Sequence, residues 1–425
     1  MKKNVLVFPC GSEIGLEIYR SLEFSKEFKL LGASSVADHG KFVYQNYIPN
    51  IPFVENDEFI NVINKIIKKH QIDYIFPAHD SVVLKLAQER DSLACEVLTS
   101  SFETCELTRS KLQTYQNLKS IIPTPRIFKD LNKIKDSDFP IFLKPEVGQG
   151  SKNTYLVNNK EELCFYTNKD HSLMALEYLP GKEYTVDCFT DKSGSLLFSQ
   201  GRERVRILNG ISVNSKVINN LKFEYLAKKI NESIDLDGVW FFQVKENKEG
   251  ELALLEVAPR VAGTMSMSRM LGVNLPLLSL FSFMGYEVNI LKNNFGIEVD
   301  RSLKSRYKIN LNFENIYVDF DDTLIIDDKI NHKLMSFIYR WLGENKNIYL
   351  ITKHSKDIDK SLMGYKISSD IFTEIIHLKP EEEKYEFIKE NSIFIDDSFS
   401  ERKSVFLKTK NAVFSMNEID CLEGN

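Results

Sequence analysis

The chain is 425 residues long, 43% hydrophobic and 27% charged, the make-up of an ordinary globular protein and more than one typical domain. Its formal net charge of −5 offers no basic field, so no nucleic-acid or anionic-membrane partner is expected and small molecules are the better match. The six cysteines form no CxxC pair, which argues against a zinc site or a disulfide framework and for a reducing cytoplasm.

The first residues, "MKKNVLVFPCGSEIG", join a basic pair to an apolar run too short for a signal-peptide core, and predict a first β-strand. Over the next hundred residues short β-branched or aromatic runs ("NVLVFP", "FKLLGAS", "YIFPAHD") alternate with helical periodicity ("EIGLEIYRSLEFS", "EFINVINKIIKKHQ", "SVVLKLAQERD"). That alternation predicts βαβ units and a parallel, Rossmann-like sheet. In "FPCGSEIG" the glycines Gly11 and Gly15 do not make a GxGxxG fingerprint, so a structural strand-to-helix turn is favoured over a dinucleotide site.

From Thr108 the texture becomes α+β, with a helix "SKLQTYQNLKSI", a strand "FPIFLKP" and a loop "EVGQGSKN". Lys144 at the strand end, with Gly148, Gly150 and Ser151 after it, supplies a cation and close-approaching backbone N–H groups suited to a triphosphate, although a Gly-rich hairpin tip would read the same way. Further on, Gln243 and Glu256 fall on two strands joined by the turn "ENKEGE", and two oxygen-bearing side chains on paired strands can hold Mg²⁺ between phosphates. Between them "SQGRERVRILNGIS" alternates Arg202, Arg204 and Arg206, which either grip a substrate carboxylate or phosphate or belong to a solvated edge strand. The apolar stretch "LGVNLPLLSLFSFMGYEV" is broken by Asn, Pro, Ser and Gly, so no membrane span is expected.

The ordered set "SK…FLKP…GQGS…LEYLPGKEYTVD…FFQV…LLEVAPRVAGT" resembles the ATP-grasp superfamily, in particular its carbamoyl-phosphate-synthetase-like carboxylate–amine ligases. The resemblance implies that Lys111 and Lys144 contact ATP phosphates and that Gly148, Gly150 and Ser151 form the phosphate loop. It also implies that Glu177, Tyr178 and Leu179 form the adenine hinge, that Glu183 is the ribose-side acid, that Gln243 and Glu256 are metal ligands, and that Arg260 steadies an acyl phosphate. The family pattern Glu-x-Asn-Pro-Arg reads "EVAPR" here, so Ala258 stands where a second metal ligand is expected.

Near "NNFGIEVDRSLKSRYKIN" the apolar periodicity lapses, and a new α/β run begins at "NIYVDFDDTLI". The strand "IYVDF" delivers Asp319 and Asp321 to a crevice where paired carboxylates call for a cation. With "NIYLITK", "IIHLKP" and "SIFIDDS" in order, this part resembles the haloacid-dehalogenase-like (HAD-like) phosphohydrolases. That resemblance implies Asp319 as nucleophile, Asp321 as acid and base, Thr352 as phosphate ligand, and Lys379 as the charge-balancing lysine, with Lys384 a second candidate. Asp319, Asp321, Asp396 and Asp397 are the metal candidates. The intervals between these motifs leave room for single helical crossovers and no inserted cap, while His332, His354 and His377 read as surface or supporting groups.

The expected protein is therefore a multidomain α/β and α+β chain. A Rossmann-like domain over 1–104 precedes an ATP-grasp domain over 105–300, with a lid at roughly 110–180, and a capless HAD-like domain over 310–425. The expected activity is ATP- and Mg²⁺-dependent joining of a carboxylate to an amine, coupled with hydrolysis of a phosphomonoester. A phosphatase carrying a non-catalytic nucleotide-binding module is the alternative, and a homodimer through the ligase part is in keeping with the family.

Overall fold

The computed structural model describes residues 2–423 and divides the chain into two compact units, 1–303 and 304–425. Within the first unit, strands β1 (Lys3–Phe8), β2 (Phe28–Ala33), β3 (Tyr47–Ile48), β4 (Tyr74–Pro77) and β5 (Glu96–Val97) form a parallel sheet of order β3-β2-β1-β4-β5. Strand β1 is apolar on both faces, as a strand covered by crossover helices must be. Leu6 and Phe8 pack with Phe59 and Ile63 of the helix Phe59–His70, while Val5 and Val7 share a core with Ile18 of the helix Glu13–Leu22.

The turn after β1 needs both of its glycines. A Cβ on Gly15 would lie 2.5 Å from the Cys10 carbonyl oxygen, and one on Gly11 would collide with the Asp38 carboxyl. Asp38 fills this turn and accepts hydrogen bonds from Ser34 Oγ at 2.6 Å and Gly40 N at 2.9 Å. A carboxylate there disfavours a pyrophosphate, so the turn is structural.

Strands β6 (Ile141–Pro145), β7 (Tyr155–Val157) and β8 (Leu173–Glu177) make a three-stranded antiparallel sheet. Ile141 and Leu143 pack against Leu163 of the helix Lys160–Lys169, which leaves Phe142 and Lys144 on the opposite, cavity-facing side. A six-stranded sheet of order β13-β12-β9-β10-β11-β14 follows, built from β9 (Glu183–Thr190), β10 (Leu196–Leu208), β11 (Ile211–Ile218), β12 (Gly238–Glu246), β13 (Leu252–Ala258) and β14 (Glu298–Asp300). Its Trp240 and Phe242 pack under the helix Leu221–Ser233, and its Val239 and Phe241 share a core with Leu280 and Phe283 of the helix Leu275–Phe283. That helix is what the apolar stretch becomes, and no helix among the described residues is long and apolar enough to cross a membrane. Strand β14 arises inside the segment where the sequence pattern lapses, by pairing with the edge strand β11.

The second unit holds a parallel sheet of order β19-β18-β15-β20-β21, from β15 (Asn315–Val318), β18 (Asn347–Thr352), β19 (Glu374–His377), β20 (Ser392–Ile395) and β21 (Ala412–Phe414). Its central strand β15 packs Ile316 and Val318 against Leu334 and Ile338 of the helix His332–Gly343, and Tyr317 against Tyr349 and Phe394 on the other face. Between β15 and that helix lies a short hairpin, β16 (Ile325–Ile326) and β17 (Lys329–Ile330). All six cysteines are free thiols.

Candidate functional sites

The first unit encloses a cavity of about 180 Å³ between the three-stranded and six-stranded sheets. Lys111, Lys144, Gly148, Gly150, Ser151, Glu177, Tyr178, Leu179, Glu183, Gln243 and Glu256 all line it. Lys144 is buried, its Nζ 2.7 Å from Tyr115 Oη and 3.4 Å from the Leu255 carbonyl. Loss of hydration pushes its pKa down to about 7, the neighbouring Lys111 lowers it too, and Glu256 and Glu183 oppose the shift. Burial likewise lowers the pKa of Lys111, which donates to the Gly148 carbonyl at 2.9 Å.

The glycine loop around Gly148–Ser151 is tied down by residues that sequence reasoning missed. Arg109 reaches Gly148 O and Gln149 Oε1, each at 3.4 Å, and the Gln149 amide lies 2.6 Å from His79 Nε2. On the other side, the β10–β11 turn comes so close that a Cβ on Gly210 would lie 2.4 Å from the Gly150 carbonyl carbon. Gly150 itself has φ +61°, which a glycine adopts without strain. Arg109 and His79 were visible next to quoted motifs, in "LTRSK" and "PAHD", but nothing local marks them as loop partners.

Gln243 and Glu256 are direct cross-strand partners in the β12–β13 pair. An amide oxygen and a carboxylate facing an open cavity suit Mg²⁺, which takes few protein oxygens and completes its shell with phosphate and water. Ala258 is buried at the end of β13 and offers no ligand atom. Glu183 is ion-paired with Arg204, whose guanidinium also donates to Gln243 Oε1 at 3.0 Å and to the Gly210 carbonyl at 2.7 Å.

Two expectations for arginines need correction. Arg202 does not line the cavity: it is buried in a bidentate pair with Asp187, at 3.0 and 2.9 Å, and bonds Thr264. Arg206 is exposed and pairs with Asp300 of β14, because the register of β10 on β11 shifts between Arg204 and Arg206 and turns the chain outward. Only Arg204 of the three lines the cavity. Arg260 lies in a second, adjoining cavity of about 70 Å³ together with Asp80, Arg109 and Ala258. Its Nε and Nη2 donate to Asp80 at 2.6 and 2.9 Å and its Nη1 to the Val261 carbonyl at 3.0 Å, which uses three of its five N–H groups.

In the second unit the ends of β15 and β20 bring Asp319, Asp396 and Asp397 together, with ligand oxygens within 4.8 Å of one another. Lys384 stands among them, its Nζ 2.7 Å from Asp319 Oδ1 and 2.6 Å from Asp396 Oδ2. Burial pushes the Asp319 carboxyl up to about 7; Lys384 pulls it back and Asp396 adds to the rise. Burial raises Asp396 as well, while the two carboxylates keep the proton on Lys384 against its own desolvation. With Asp397 beside the two acids that share Lys384, the group retains a negative excess, which fits a divalent cation. Thr352 is buried at the end of β18, and Thr323 Oγ1 accepts from Asp397 N at 2.9 Å.

Two expectations for this site are corrected. Lys379 is exposed, its backbone N and carbonyl both meeting Glu382, at 2.7 and 3.1 Å, whereas Lys384 lies between Asp319 and Asp396. Strand β19 stops at His377, and the chain then turns so that the 3-10 segment Lys384–Phe387 carries the later lysine inward. The Asp321 side chain, 55% exposed, lies outside the carboxylate cluster and meets His354 instead, so it is not one of the grouped ligands.

Comparison with known proteins bears on the first unit. Residues 169–304 match the family described as ATP-grasp in the biosynthetic pathway with Ter operon. The carbamoyl phosphate synthase large chain of Clostridium botulinum (strain Alaska E43 / Type E3) is 24% identical over 270 residues, which cover 58% of this chain and 25% of that one. The biotin carboxylase domain of Hydrogenobacter thermophilus 2-oxoglutarate carboxylase, solved as a dimer with MgADP, ADP and bicarbonate, superposes with TM-score 0.60 at 15% identity, over 70% of this chain and 74% of that one. The first unit resembles ATP-grasp proteins in sequence over residues 169–304 and shares the fold of this biotin carboxylase domain. The L-amino acid ligase of Bacillus licheniformis shares the fold as well, with TM-score 0.53 and 17% identity over 66% of this chain and 74% of that one. The chain spans about a quarter of the carbamoyl phosphate synthase that it matches.

Proposed function

We propose that the chain is a bifunctional enzyme: an ATP- and Mg²⁺-dependent ligase that joins a carboxylate to an amine, followed by a HAD-like, Mg²⁺-dependent phosphomonoesterase. The observation that carries the ligase reading is the cavity that gathers two lysines, a glycine loop and the Gln243–Glu256 pair. The carboxylate takes the γ-phosphoryl of ATP, and the amine then displaces phosphate from the acyl phosphate to give the amide, ADP and phosphate. Lys111 and Lys144 offset charge on the transferring group, Arg204 holds Glu183 and Gln243 in place, and Mg²⁺, when bound through Gln243 and Glu256, neutralises phosphate oxygens.

The phosphatase reading rests on Asp319 beside Lys384, Asp396 and Asp397. Asp319 attacks phosphorus, Asp321 gives its proton to the leaving oxygen and later takes one from the attacking water, and Lys384 balances charge. Mg²⁺, when held by the three carboxylates, draws charge from the phosphoryl oxygens. Asp319→Asn tests this half: release of phosphate from a phosphomonoester disappears if Asp319 is the nucleophile and persists if it is not.

A second reading, with the ATP-grasp module as a non-catalytic nucleotide sensor, is favoured by Ala258 and by the engagement of Arg260 with Asp80. Calorimetry with MgATP beside an ADP-release assay over sugar acids, amino acids and small amines separates the two. Binding with turnover supports the ligase, and binding without turnover on any pair supports the sensor.

A further inference from the structure

His354 follows the end of β18 by two residues, and its imidazole lies against Asp321: Nδ1 is 2.9 Å from Oδ2 and 3.0 Å from Oδ1. The ring is fixed from several directions. Its Nε2 is 2.9 Å from Ser361 Oγ, its backbone N donates to Thr352 Oγ1 at 3.2 Å, its carbonyl lies 2.7 Å from His377 Nε2, and its face meets Phe320 edge-on at 4.9 Å. Asp321 is thus a half-exposed carboxyl whose direction is set by a ring that cannot swing freely.

Ser361 adds a second feature. Its single hydroxyl proton has two acceptors, His354 Nε2 and the Asp357 carbonyl at 3.0 Å. With the hydroxyl turned to Nε2, Nδ1–H is left to donate to the Asp321 carboxylate, so Ser361 backs the contact that holds Asp321.

We propose that His354, backed by Ser361, is a positioning residue for Asp321, holding its carboxyl in one direction beside the Asp319 site. This rests on the phosphatase reading. In the first step Asp319 forms a bond to phosphorus, the bond from phosphorus to the leaving oxygen breaks, and the Asp321 proton moves to that oxygen. In the second, water attacks phosphorus, gives a proton to Asp321, and the bond from phosphorus to Asp319 breaks to release phosphate. His354 holds the same carboxyl through both steps without itself bonding to substrate.

The test compares two substrates on the full chain in MgCl2. Glycerol 2-phosphate expels an alkoxide and depends on a delivered proton, whereas 4-nitrophenyl phosphate expels a stable phenolate. His354→Ala is expected to lower kcat/KM for glycerol 2-phosphate by about 10- to 100-fold and for 4-nitrophenyl phosphate by less than about 3-fold, since a delivered proton contributes about 100-fold or more. His354→Asn, which keeps an amide donor toward Asp321, should recover part of the loss, and Ser361→Ala should show a smaller loss with the same substrate bias. These two variants carry the comparison if His354→Ala does not fold. Equal losses on both substrates, or none, with active wild type overturn the role of His354 and leave the phosphatase intact. A wild type inactive on both overturns the phosphatase reading and this inference with it.

Discussion

The two sites are built with opposite charge. The cavity of the first unit is lined by five cationic side chains (Lys111, Lys144, Lys152, Arg204, Lys245) against three acids (Glu177, Glu183, Glu256), whereas the second site gathers three aspartates around one lysine. A surplus of either sign in a partly dry place is costly unless a ligand balances it. The first site therefore suits a polyanion, to which Mg²⁺ comes as an accessory, and the second suits a cation, to which a phosphate group comes afterwards. On the proposed function, that contrast assigns nucleotide use to the first site and phosphoester hydrolysis to the second.

The sharpest way to break the comparison is to remove the lone cation of the acidic site. Lys384→Met leaves Asp319 and Asp396 buried beside each other and should destabilise the second unit by about 3–5 kcal/mol, read by chemical denaturation, with part of the loss restored by added Mg²⁺. If stability is unchanged, Lys384 is not what balances the pair. In the cationic site one lysine among several is removed by Lys144→Met, which should weaken MgATP binding by about 10- to 100-fold in calorimetry, the worth of one hydrogen bond to a charged group.

Proton counting sharpens the same contrast. The Lys144 pKa is depressed to about 7 from its ordinary 10.5, so between those values the unfolded chain binds the extra proton and stability rises with pH through this window. Below about pH 7 both states are protonated and the cost of burying the charge is fully present. A triphosphate beside Lys144 favours the charged form, so MgATP binding at pH 8 should take up a proton, measured by calorimetry in buffers of different ionisation enthalpy, and Lys144→Met should abolish the uptake. The smallest effect is expected at Arg206→Gln, which removes an exposed pair with Asp300 and should cost under about 1 kcal/mol. Arg202→Gln, which strips a buried partner from Asp187, should cost several times more, about 3–5 kcal/mol.

How much of each site the sequence discloses follows from the reach of local patterns. Lys144, Glu256, Asp319 and Asp396 could be read because each lies at or near a strand end, where alternation and the following turn point the side chain into a crevice. Lys384 lay beyond that reach: it enters from a short 3-10 turn past the end of β19, and no periodicity tells it from Lys379. The engagement of Arg260 with Asp80 joins residues far apart in the chain, so a motif match assigned the arginine to substrate without its partner in view. The register shift in β10 shows no turn residue, and it is what separates Arg204 from Arg206. The parallel sheet of the first hundred residues followed from the βαβ alternation, whereas its strand order and β14 came from pairings that no local signal announces.

The central claim is that one chain carries two separable centres of opposite charge. Its most direct test measures MgATP binding and phosphomonoester hydrolysis in parallel on the full chain, with Lys144→Met and Asp319→Asn. The account predicts that Lys144→Met loses nucleotide affinity and still hydrolyses the phosphomonoester, while Asp319→Asn binds MgATP as before and releases no phosphate. Loss of both properties in either variant, or phosphate release that survives Asp319→Asn, would contradict it.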